Sequence, residues 1–103
     1  MLSVRDNFVE YVMTQFTRRR RMREFLKNTE YLNNGVRHVY GFENGYGASV
    51  IKHDYSYGGR DGLWELAVLN GEELCYTSSI TEDVIGHLTW ERVEGYLKEI
   101  KQL

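Results

Sequence analysis

Two Asn-Gly dipeptides, Asn44-Gly45 and Asn70-Gly71, constrain this chain more than any other feature. Asn-Gly suits a two-residue type I′ turn, because both residues accept positive φ. The twist of that turn matches a pair of antiparallel strands. Each dipeptide stands between runs that read as strands. Val36–Glu43 alternates Val36, His38, Tyr40 and Phe42 against Arg37, Val39, Gly41 and Glu43, and Tyr46–His53 is its return strand. Leu63–Leu69 is almost continuously apolar, as a strand covered on both faces is. Glu72–Thr77 follows the second dipeptide, with Leu74 and Tyr76 on one face. A parallel sheet would need helical crossovers, and no segment between these runs has the length for one. The expectation is a four-stranded antiparallel meander.

Helical patterns flank it. Val4, Phe8, Val12 and Phe16 recur every four residues, with Ser3 as N-cap and Asp6 in the first turn. A second stripe, Met22, Phe25 and Leu26, reads as further helix, closed by Asn33-Asn34-Gly35. At the other end, Val84, Ile85 and Leu88 form a short stripe. Thr89 then caps a helix lined by Trp90, Val93, Leu97 and Ile100, with Lys98 and Lys101 near its C-terminus. The fold class expected is α+β: an N-terminal helix or helices, the meander, and C-terminal helices packed on the sheet. The length of 103 residues fits one core. The division expected is a basic-ended helical extension over residues 1–21 and one α+β domain over residues 22–103.

Charge is unevenly distributed. Residues 1–27 carry seven basic against three acidic side chains, and the remainder six basic against twelve acidic. There is no proline, while Gly35–Gly62 holds most of the 10 glycines and half of the 8 tyrosines. No apolar run reaches the ~20 residues of a membrane span, and the basic residues follow the first apolar stripe, the reverse of a secretory signal. A lone Cys75 suits a reducing cytoplasm.

Residues with chemical potential do not assemble into known patterns. His38, His53, His87 and Cys75 lack CxxC, HxxxH or HExxH spacing, so no metal is expected. Cys75, between Leu74 and Tyr76, reads as an inert strand cysteine. Gly41–Gly47 and Tyr55–Gly59 lack both the lysine of a phosphate loop and a helix after them, so hairpin geometry accounts for their glycines. The sequence predicts no catalytic residues, no cofactor and no enzyme.

The arginine cluster Arg18, Arg19, Arg20, Arg21 and Arg23 is the sharpest signal of a ligand. Such clusters meet nucleic-acid phosphates, and Tyr31, Tyr40 and Phe42 are aromatics that could stack on bases. The acidic balance of the rest of the chain opposes that reading, and a solvated or internally paired arginine patch competes with it. Met22, directly after Arg21, is also a candidate second start of translation.

From Met22 onward the chain resembles a group of small tailed-bacteriophage proteins. The resemblance rests on Met22-Arg-Glu-Phe-Leu26, Gly41-Phe-Glu-Asn-Gly-Tyr-Gly-Ala-Ser-Val-Ile51, Tyr57-Gly-Gly59, Gly62-Leu-Trp-Glu-Leu-Ala-Val-Leu69, Leu74-Cys-Tyr76 and Ile80-Thr-Glu-Asp-Val-Ile-Gly-His-Leu88. It implies a phage protein in the cytoplasm of an infected bacterium, and it supplies no molecular activity. Small proteins of this kind often bind and modulate a host protein, including defence systems. The leading expectation is a non-catalytic protein that binds a bacterial host protein through Tyr46, Tyr55, Tyr57, Arg60 and Asp61, since tyrosine and arginine anchor interfaces. The alternatives are nucleic-acid binding through the arginine cluster and self-assembly, as a homo-oligomer, through residues 3–16.

Overall fold

The computed structural model describes residues 22–75, 78–81 and 83–103. Met22 and Arg23 are helical, and after them, among the described residues, six antiparallel strands and one helix follow in chain order: β1 (Leu26–Leu32), β2 (Gly35–Gly41), β3 (Tyr46–Lys52), β4 (Trp64–Asn70), β5 (Glu73–Leu74), β6 (Ile85–Leu88) and α1 (Trp90–Lys101). A 3₁₀ turn, Gly59–Asp61, lies between β3 and β4. The sheet order is β1-β2-β3-β4, and the far edge of β4 is shared, its C-terminal end by β5 and its N-terminal end by β6. No helix among the described residues is long and apolar enough to cross a membrane.

The antiparallel α+β class agrees with the sequence, but four local readings need correction. Leu26–Leu32 is an edge strand rather than helix, paired with β2 from Leu26↔Tyr40 to Leu32↔Gly35. Asn33 and Asn34, taken as a helix stop, have φ of 50° and 61° and form the two-residue turn between β1 and β2. Two consecutive positive φ angles define a type I′ turn, and asparagine tolerates them. The stretch Ile85–Leu88 is a strand against β4, so one C-terminal helix replaces the expected two. The strand expected over Glu72–Thr77 is Glu73–Leu74, with residues 76 and 77 outside those described. The helix read over residues 3–16 also lies outside them.

The Asn44-Gly45 turn differs from expectation too. Phe42 donates to the Tyr46 carbonyl at 2.8 Å, Gly45 donates to the Phe42 carbonyl at 3.1 Å, and only Gly45 has positive φ, at 86°. That is a three-residue loop ending in a glycine bulge rather than a type I′ turn. The Asn44 side chain explains the choice. Its Nδ2 donates to the carbonyls of Ile100, Lys101 and Leu103 at 2.9, 3.1 and 3.2 Å, satisfying acceptors that a helix C-terminus leaves open. Asn44→Asp removes that donor and places a negative charge at the negative end of the helix dipole. The expected cost is about 1–3 kcal/mol, read as a lower denaturant midpoint at unchanged slope.

The core lies between α1 and one sheet face. Ala48, Val50, Leu66, Val93, Leu97 and Ile100 are fully buried there, joined by Tyr40, Phe42, Val68, Leu88 and Met22. Thr89 caps α1 by accepting from the Arg92 N–H at 3.4 Å, as its sequence position implies. On the opposite face Arg37 Nε donates to the buried Ser49 hydroxyl at 3.0 Å, and the Lys27 stem lies over Gly41. Long side chains thus shield the small residues of that face.

Candidate functional site

β3 ends at Lys52, and the chain then makes a closely bonded loop. Ser56 Oγ accepts from the His53 N–H and donates to the His53 carbonyl, both at 3.0 Å. Gly59 donates to the Ser56 carbonyl, and Gly62 to the Gly59 carbonyl. The loop is also tied to its neighbours. Asp54 donates its N–H to the Asn33 carbonyl at 3.0 Å, and Asn34 Nδ2 donates to Asp54 Oδ2 at 2.9 Å. Across the sheet, His87 donates its N–H to the Tyr57 carbonyl at 3.0 Å. So many local bonds make the loop a fixed platform rather than a loose connection.

That platform displays Tyr55 and Tyr57, which are 77% and 62% exposed, together with exposed Arg60 and Asp61. Four of the five residues read from sequence as a contact surface therefore stand together. Tyr46 does not join them. It is half-buried at the opposite end of β3, which a rise of ~3.3 Å per residue puts about 20 Å away.

A residue missed for this surface is Tyr31, the most exposed of the large hydrophobic side chains among the described residues, at 85%. It lies two residues before the β1–β2 turn, and register carries that turn to the end of the sheet where the loop sits. Between turn and loop runs an open groove of about 780 Å³, whose lining includes Tyr31, Val36, Lys52, His53, Asp54 and Arg60. Reading Asn33-Asn34 as a hairpin turn would have exposed Tyr31 as an edge-strand tyrosine.

Beside the groove is an aromatic cluster. Trp64 and Trp90 meet edge to face at 5.0 Å, His38 lies 5.7 and 6.4 Å from them, and Lys52 Nζ sits 4.7 Å over the Trp64 ring. His38 Nδ1 shares a hydrogen bond with Thr29 Oγ1 at 3.0 Å. Burial holds the His38 pKa below its ordinary value of 6.5, and the positive charges of Arg23 and Lys52 push the same way. The folded chain thus binds fewer protons at His38 than the unfolded chain. Stability should fall as pH drops below about 6.5, the unfolded value. Melting followed from pH 7.5 to 5.5 should show that decline, and His38→Gln should flatten it.

Tyr40 is buried, and its pKa is pushed up to about 12 by that burial and by the Glu94 carboxylate, against a smaller opposing effect of Arg23. Tyr40 and Phe42 belong to the core and are closed to base stacking, which corrects their suggested role beside the arginine cluster. Arg18 to Arg21 lie outside the described residues, and Arg23 is exposed. Among the described residues no group of three or more histidine, cysteine or acidic side chains converges as a metal site would.

The described residues thus form an antiparallel sheet covered by one helix, with a closely bonded, tyrosine-rich end. No family model, curated protein or solved structure matches the chain.

Proposed function

We propose that the chain is a non-catalytic protein-binding module whose contact surface is the end of the sheet carrying Tyr31, Tyr55, Tyr57, Arg60 and Asp61. The observation that supports it most is the exposure of three tyrosines at one end, two of them on a loop held by its own hydrogen bonds. Large aromatic side chains left in water incur a hydration cost that a partner surface relieves, and a fixed loop loses little entropy on binding. The partner class is a bacterial host protein, as the resemblance to small phage proteins implies.

The test is affinity capture from nuclease-treated bacterial lysate, comparing the chain with a Tyr55→Ala/Tyr57→Ala variant of unchanged melting temperature. Both residues are exposed, so the substitutions should leave the fold intact. A specific captured protein should weaken at least about tenfold in the variant, as loss of interface anchors does. Capture that ignores the two tyrosines, or that nuclease treatment abolishes, would defeat the proposal.

A further inference from the structure

β1 is an edge strand whose outer backbone groups can be assigned from its turn. Leu32 and Gly35 flank a two-residue type I′ turn and so form a hydrogen-bonded pair. Such pairs alternate along an antiparallel ladder. Leu32, Glu30 and Asn28 therefore bond to β2, while Thr29 and Tyr31 turn their N–H and C=O groups outward. Among the described residues no strand pairs with them.

Edges of this kind are usually guarded by charges or bulges. Here the guard sits at one end, where the register shifts between Leu26 and Asn28 around Lys27. The half from Thr29 to Leu32 carries only Glu30, which is engaged by Arg37 at 3.8 Å. This bare half runs to the groove. There Asp54 accepts from the Asn34 amide, while Lys52 and Arg60 have no carboxylate within ion-pair distance among the described residues.

Building on the protein-binding reading, we propose that this end captures an extended acidic segment of the partner as an added strand. Its main chain pairs with Thr29 and Tyr31. An aspartate or glutamate just beyond the ladder meets Arg60 and Lys52, beside the exposed Tyr31 ring. Two other occupants fit less well. Residues 1–21 are net basic, with Arg18 to Arg21 at their end, the wrong sign for this groove. A second copy pairing Thr29 with Tyr31 would set Glu30 opposite its own counterpart, a like-charge pair.

Panning the full chain against a display library of random linear decapeptides tests this, with the best binder resynthesised as a fluorescent probe. Enriched peptides should be acidic. The probe should bind Arg60→Glu and Thr29→Pro at least about tenfold more weakly. Proline at position 29 removes an outward N–H and the Thr29 hydroxyl, and it leaves the β1–β2 ladder in place. Thr29→Val, which also lacks the hydroxyl bonded to His38 but keeps the N–H, should bind as the parent does. If Thr29→Pro melts below the assay temperature, Arg60→Glu decides, since Arg60 is exposed.

Neutral or basic selected peptides, no enrichment, or equal binding by Arg60→Glu would overturn the acidic strand. So would a dimer in light scattering that Thr29→Pro dissociates. Any of these results alongside lysate capture that depends on Tyr55 and Tyr57 overturns the acidic strand and leaves the protein-binding reading standing.

Discussion

Leu66→Ala should destabilise the protein by about 2–5 kcal/mol, the range for truncating a fully buried leucine. Leu66 is completely inaccessible, and its strand β4 sits between β3 on one side and β5 and β6 on the other. Its cross-strand partners are Val50 and Ile85. The cavity would open in the middle of the cluster shared with Val93 and Leu97, where neighbours are held by sheet and helix and cannot collapse inward. Domains of this size are stable by only ~5–15 kcal/mol, so the loss is a large share of the total. Urea unfolding should give a lower midpoint at unchanged slope. A variant unfolding at the parent's midpoint would show that β4 is not the centre of the core.

Gly59→Ala should cost about 1–3 kcal/mol, as overpacking does, and should also abolish presentation of the tyrosines. A Cβ at position 59 would come 1.9 Å from the His53 carbonyl oxygen and 2.4 Å from Ser56 Oγ. A backbone oxygen cannot step aside, so the loop must move, and with it the Ser56 bonds that hold Tyr55 and Tyr57. Gly95→Ala is the contrast. Nothing lies within 4 Å of its would-be Cβ, and it is exposed in the middle of α1. That substitution should stabilise the protein by about 0.5–1 kcal/mol through helix propensity. Thermal melts of the two variants should therefore shift in opposite directions, and only Gly59→Ala should lose partner capture.

The sequence alone determined the parts whose signals are local. Strands β2, β3 and β4 were legible because Val36–Glu43 alternates, Leu63–Leu69 is apolar apart from Glu65, and turn residues bound both. α1 was legible because Thr89 caps a stripe of Trp90, Val93, Leu97 and Ile100 at helical spacing, and all four face the core. The loop tyrosines Tyr55 and Tyr57 were legible as surface because glycines surround them.

Tertiary structure decided what local signals share between two outcomes. Met22, Phe25 and Leu26 have helical spacing, yet only Met22 of the three is helical, while Phe25 lies in the turn that follows and Leu26 opens β1. The β1 sequence lacks alternation because an edge strand with a bulge buries little of either face. Only its pairing with β2, remote from any period in the sequence, makes it a strand. Asn33-Asn34 supplies left-handed residues, which end a helix or reverse a hairpin equally well. Ile85–Leu88 is too short to carry a period, and it becomes a strand because β4 offers an unfilled edge. The groove joins residues 31–36 to residues 52–62 through sheet register alone. Register rests on hydrogen bonds between distant segments, so no local pattern could place Tyr31 beside Arg60.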